Sequence, residues 1–172
     1  MKLNSPNLLG ALFLILLAFG AGLGLGGGFN NAEKGEILGI NHIAIVTKNF
    51  EMASSYYRDT LGFPVAIEIK TEDGNPAWTY FQVSKTTFIE LIPESATRPA
   101  GLEHFGFETS GTESLLIHLR ELGIDAKGPR ISSISGIHFG STKDIDGVPI
   151  EFIGTVPGSL HRKAIDNWDN KK

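Results

Sequence analysis

Past residue 35 the chain says the same thing twice. Gly39-Ile40-Asn41-His42-Ile43-Ala44-Ile45-Val46-Thr47 returns 62 residues later as Gly101-Leu102-Glu103-His104-Phe105-Gly106-Phe107-Glu108-Thr109. Self-similarity at a fixed offset marks a duplicated supersecondary unit, so any fold proposed for this chain must use one motif twice. In each copy large apolar residues stand one and three places after the His (Ile43, Ile45; Phe105, Phe107), with a small residue between them (Ala44; Gly106). A period of two is that of a strand. The His and the small residue therefore share one face, and the large apolar pair occupies the other.

Each strand leads into a helical pattern. In the first copy Asn49 is a fitting N-cap, Phe50, Ala53, Tyr57 and Leu61 recur at helical spacing, and Gly62 suits the C′ position. In the second, Ser110 and Glu113 form a capping-box pattern, Leu115, Leu119 and Leu122 make the buried stripe, and Gly123 ends it. Strand patterns then follow at Val65–Lys70, Trp78–Val83 and Thr87–Ile92, and again near Lys127–Ile131, at Gly136–Lys143 and at Val148–Ile153, with Asp73-Gly74 and Asp146-Gly147 as hairpin turns. The expected architecture is α+β: two tandem βαβββ modules, residues 38–93 and 100–155, within a domain over 36–156 that forms a curved mixed sheet.

The two modules close on matching segments, Ile89-Glu90-Leu91-Ile92 and Ile150-Glu151-Phe152-Ile153. From His42 to Glu90 is 48 residues, and from His104 to Glu151 is 47. Related by a pseudo-twofold, the modules would bring two His and two Glu together. One such pair alone would suit a hydrogen-bonded strand histidine and an edge carboxylate. Two pairs at matching intervals point to a metal site, because burying carboxylates among apolar neighbours costs several kcal/mol per ion unless a cation compensates. With no cysteine in the chain, thiolate sites are excluded, and the donors His42, Glu90, His104 and Glu151 suit a divalent ion that keeps positions open.

These elements resemble the vicinal-oxygen-chelate superfamily, which includes glyoxalase I, methylmalonyl-CoA epimerase, extradiol dioxygenases, and fosfomycin- and bleomycin-resistance proteins. The resemblance runs from Gly39 to about Gly154. It is carried by the two His strands, Tyr56-Tyr57-Arg58-Asp59-Thr60-Leu61-Gly62-Phe63, Phe88-Ile89-Glu90-Leu91, and Asp144-Ile145-Asp146-Gly147-Val148-Pro149-Ile150-Glu151-Phe152, where the family's usual Asp-Pro is Asp144-Ile145. Members similar to glyoxalase I ligate at all four positions, whereas extradiol dioxygenases lack a ligating carboxylate at the position of Glu90. The resemblance thus implies a lyase or isomerase dependent on a divalent ion (Zn, Ni, Co, Mn or Fe) and acting on a small molecule with vicinal oxygens. It implies proton transfer through an enediolate-like intermediate, with Glu151 or Glu90 as base, and a homodimer. The alternatives are a ring-cleaving dioxygenase and a non-catalytic binding or sequestration protein.

Three other histidines are candidates for lesser roles. His118 falls among the leucines of the second helix as a partly buried non-ligand. His138, just before the last hairpin, reads as a hydrogen-bonded strand histidine, with an acid/base facing the site as the alternative, and with Tyr80, Phe88 and Trp78 it is among the side chains that would select the substrate. His161 lies in a polar tail, 157–172, that reads as a surface extension.

Location is read from residues 1–32. The 22 residues from Leu8 to Phe29 carry no charged or polar side chain, so the segment is expected to be a secretory signal peptide or, if uncleaved, a membrane anchor. Gly22-Leu23-Gly24-Leu25-Gly26-Gly27 within it has the glycine spacing of a dinucleotide loop but lacks the flanking strand and helix. Export outside the cytoplasm follows as an expectation, and it argues against cytosolic thiol substrates. A net charge of −4 without a Lys/Arg cluster excludes nucleic acid as the main ligand.

Overall fold

The computed structural model describes residues 35–171, so the segment 1–32 expected to be a signal peptide or anchor lies outside the described residues. Strands β1 (Ile37–Thr47), β2 (Val65–Lys70), β3 (Pro76–Gln82) and β4 (Phe88–Pro93) belong to the first module, with helix α1 (Phe50–Ser55) after β1. The second module repeats the plan with β5 (Gly101–Thr109), helix α2 (Thr112–Glu121), β6 (Lys127–Ile131), β7 (His138–Lys143) and β8 (Pro149–Gly154). All eight strands form one sheet in the order β2-β3-β4-β1-β5-β8-β7-β6. The two His strands meet at its centre as an antiparallel pair, while β4 runs parallel to β1 and β8 parallel to β5. The modules therefore pair within one chain.

The local signals act as their chemistry dictates, with two exceptions. Asn49 caps α1 through its side chain, which accepts from the Met52 amide, and the helix widens into a π-turn over Tyr56–Thr60 before Gly62 turns the chain at φ +73°. Ser110 does not cap α2, because its hydroxyl accepts from the Glu36 amide and Gly111 takes the N-cap position. Leu122 is 64 % exposed, so the buried stripe of α2 is Leu115 and Leu116 with Leu119 beside them.

The faces of the sheet separate as the period-two pattern requires. On the outer face Leu115 and Leu116 of α2 pack on Phe152, Phe107 and Ile150, and Tyr57 packs on Phe81. The inner face of the first module holds a second core. There Ile67, Tyr80 and Phe88 pack against Ala164 and Ile165 of helix α3 (Leu160–Asp166). The tail is thus no surface extension: His161 is fully buried, and α3 is fastened by the Ser159 cap and by Gln82 Nε2 donating to the Ala164 carbonyl. The reason is amphipathicity: Leu160, Ala164 and Ile165 share one side of a single short helix, and an uncovered apolar half-sheet lies within its reach.

Candidate metal centre

Register assembles the site. His42 lies opposite Gly106 and His104 lies opposite Ala44, so the small residue of each His strand makes room for the imidazole of the other. The parallel partners of those same small residues are the two carboxylates, Ala44 beside Glu90 and Gly106 beside Glu151. A Cβ on Gly106 would fall among the ring atoms of His42, leaving glycine as the residue that fits.

All four predicted residues converge on one point of the inner face. The Nε2 atoms of His42 and His104 are 2.9 Å apart. From His42 Nε2 the carboxylates of Glu90 and Glu151 lie at 3.4 and 3.6 Å, and from His104 Nε2 both lie at 3.6 Å. Donors bound at about 2.0–2.2 Å around one ion stand roughly 3–3.6 Å from one another, so these separations fit a divalent cation at the centre. The ligand atoms of His42, His104 and Glu151 all lie within 4.8 Å of one another.

The neighbours orient these donors. Asn41 is completely buried, and its Nδ2 donates to Glu108 at 2.7 Å, which turns its Oδ1 toward His42 Nδ1 at 3.0 Å. A carbonyl oxygen only accepts, so the His42 proton sits on Nδ1 and Nε2 presents a lone pair to the centre. Glu108 in turn accepts from the amide and hydroxyl of Thr155. The irregularity in register between Ile40 and His42 is what lets two consecutive side chains reach each other. Sequence reading missed Asn41 and Glu108 as functional residues. A polar residue inside each His strand was the available signal, but nothing linear says that residues 67 apart touch.

Electrostatics separate the four groups. Desolvation, followed by the charge of His104 and then that of His161, holds the His42 pKa well below its ordinary value. For His104 burial opposes charge, but a hydrogen bond to Glu151 and the negative charges of Glu151 and Glu90 outweigh it and raise the pKa. Glu90 is pushed up to about 7, chiefly by desolvation, although His104 and a hydrogen bond from Tyr80 act the other way. A buried carboxylate among buried histidines is costly without a cation, which is why the donor set fits a metal better than a structural cluster.

The remaining candidates resolve by register. His138 pairs with Gly154, and Ser141 pairs with Glu151, so alternation puts His138 on the outer face with α2 and removes it from the site. His118 sits beside Glu121 on α2, away from the donors, as read from the sequence. Tyr80 and Phe88 do lie on the inner face, Tyr80 directly opposite Glu90.

Asn41→Ala should free the His42 ring to adopt either tautomer and leave Glu108 short of a donor. Metal affinity is expected to fall about 10–100-fold. Calorimetric titration with Zn(II), together with ¹⁵N shifts of the His42 ring, measures both effects.

The inner face thus carries a His/Glu quartet on paired βαβββ modules, a cluster of the kind that could hold a metal ion. Residues 39–152 match the sequence model of the Glyoxalase/Bleomycin resistance protein/Dioxygenase superfamily, and the chain belongs to that family. It is 31% identical over 119 residues to YwkD of Bacillus subtilis strain 168, covering 65% of this chain and 93% of that one. It is 26% identical over 119 residues to YaeR of Escherichia coli K12, covering 65% of this chain and 92% of that one. Among solved structures, methylmalonyl-CoA epimerase from Mycobacterium tuberculosis superposes with a TM-score of 0.60 at 20% identity, over 70% of this chain and 90% of that chain. Homoprotocatechuate 2,3-dioxygenase from Arthrobacter globiformis gives 0.57 at 21% identity, over 72% of this chain and 41% of that chain.

Proposed function

We propose that the protein is a divalent-metal-dependent lyase or isomerase that moves a proton on a small molecule with vicinal oxygens. The observation that carries this reading is the fourth donor: Glu90 stands within 3.4–3.6 Å of both histidines, where a three-ligand site would need no carboxylate. A bound divalent ion would supply Lewis acidity for the adjacent oxygens and for the negative charge that develops when the proton leaves. His42, His104, Glu90 and Glu151 would hold it. Glu90 is kept in place by the Tyr80 hydroxyl and by burial, which suits a fixed ligand. Glu151 is the more exposed carboxylate, at 22 % against 10 %, and is the group we assign as the base that takes the proton at its free oxygen.

A ring-cleaving dioxygenase is the second reading, favoured by the composition of the His42, His104 and Glu151 trio, two imidazoles and one carboxylate whose ligand atoms lie within 4.8 Å of one another. It is weakened by the outward position of His138, which leaves that chemistry without the acid/base the sequence offered it. Metal analysis of the purified protein, combined with oxygen uptake on catechols, separates the two. The isomerase reading expects one ion per chain, no oxygen uptake, and loss of tight binding on Glu90→Gln. Oxygen consumption that needs Fe(II) or Mn(II) and survives Glu90→Gln would replace it.

A further inference from the structure

The pseudo-twofold makes a demand that the molecule breaks. Equivalent ligands in two equivalent modules should be equally open, yet the His42 and Glu90 side chains are 0 % and 10 % exposed while those of His104 and Glu151 are 18 % and 22 %. The inner-face neighbours differ in the same sense. Opposite Glu90 stands Tyr80, and opposite Glu151 stands Ser141. Two places before each Glu stand Phe88 and Pro149. Over the first module lies α3, whose His161 packs edge-on to Tyr80 at 4.6 Å and to Phe88 at 5.4 Å, with neither ring nitrogen hydrogen-bonded. At the β6–β8 edge of the second module, by contrast, an open cleft of about 430 Å³ is lined by Ser141, Lys143 and Pro149 together with Ile124, Asp125 and Lys127. Lys127 is already paired with Asp125 at 2.6 Å, whereas Lys143 is exposed and cross-strand from Pro149 on the face that carries Glu151.

We propose that the site is one-sided: α3 fills the first-module half, and the substrate lies over the second module with an anionic group toward Lys143. The substrate class is then a small anion with adjacent oxygens, such as a hydroxy- or oxo-acid. This rests on the metal-dependent reading above for the oxygens, but the position of α3 does not. Ser159, Leu160 and the Ser135 carbonyl that accepts from the Leu160 amide moor the helix to the second module's β6–β7 loop, so it bridges the inner face from one module to the other.

Two measurements test it. Hydroxyl-radical footprinting of the metal-free full chain should find Tyr80 and Phe88 protected relative to Tyr56, which is 51 % exposed, and Ala164→Asp should remove that protection. Equal oxidation of Tyr80 and Tyr56 in the unsubstituted chain would overturn the closed half whether or not metal binds. In the Zn-loaded protein, Lys143→Glu should weaken succinic monohydroxamate roughly five- to ten-fold while leaving acetohydroxamic acid nearly unchanged, since only the former carries a distal carboxylate. Equal effects on both probes, or none, would overturn the anion assignment. Failure of the protein to take up Zn(II) would instead sink the metal-dependent reading, and with it the anion assignment, while the footprint still decides the closed half.

Discussion

Gly106→Val is expected to abolish tight metal binding although all four donors remain. The valine Cβ would fall among the ring atoms of the His42 imidazole, closer than real Cβ atoms approach any neighbour. His42 has little freedom to retreat, being fully buried and held by Asn41 at 3.0 Å. Gly106 also neighbours Glu151 across the β5–β8 ladder, so any backbone shift that relieves the clash moves a second donor. Displacing one ligand outright should cost more than the about 10–100-fold typical of losing an orienting partner. The overpacking itself is expected to destabilise the fold by about 1–3 kcal/mol, which circular dichroism can separate from the binding loss. A Zn(II) affinity within a few-fold of the parent would show that His42 is not a ligand. Gly140→Val is the overpacking control, because it crowds Leu116 and the Lys127 carbonyl instead of any of the four His and Glu side chains.

Acid should unfold the metal-free protein earlier than its carboxylates alone require, and His161 is the cause. Burial lowers its pKa to about 4, against an ordinary 6.5. The unfolded chain therefore binds a proton that the native state refuses, so stability is intact above about pH 6.5 and falls as pH drops toward 4. The full effect is about 3 kcal/mol at 1.36 kcal/mol per pKa unit. His161→Phe keeps the ring between Tyr80 and Phe88 and removes two unsatisfied nitrogens, so it should be neutral or stabilising at pH 7.5 and should flatten the slope between pH 6.5 and 4. Urea midpoints across that range measure it. His42 has the same sign of shift and feels the charge of His161, so the difference between the two proteins reports His161 together with its effect on His42. Parallel slopes would mean that α3 opens before His161 titrates.

Much of this molecule was legible in linear order because its informative signals are periodic and doubled. The alternation after His42 and His104 assigned both strands and both faces, and the matched intervals to Glu90 and Glu151 named the four residues that the fold brings together. Those readings depend on local backbone geometry and on duplication, which a chain displays without folding. What tertiary structure alone decided depends on register and on contact across long separations. The pairing of His42 with Gly106 and of His104 with Ala44, the turning of His138 to the outer face, and the Thr155–Glu108–Asn41–His42 chain each rest on which residues stand opposite one another. A one-residue slip in register would exchange the faces, and composition does not forbid it. The same holds for α3, whose polar sequence conceals one apolar side: Leu160, Ala164 and Ile165 become a core only because the first module leaves Ile67, Tyr80 and Phe88 uncovered above the site. Duplication made the two halves of the centre alike, and this single short helix, bound by burial of apolar surface, made them different.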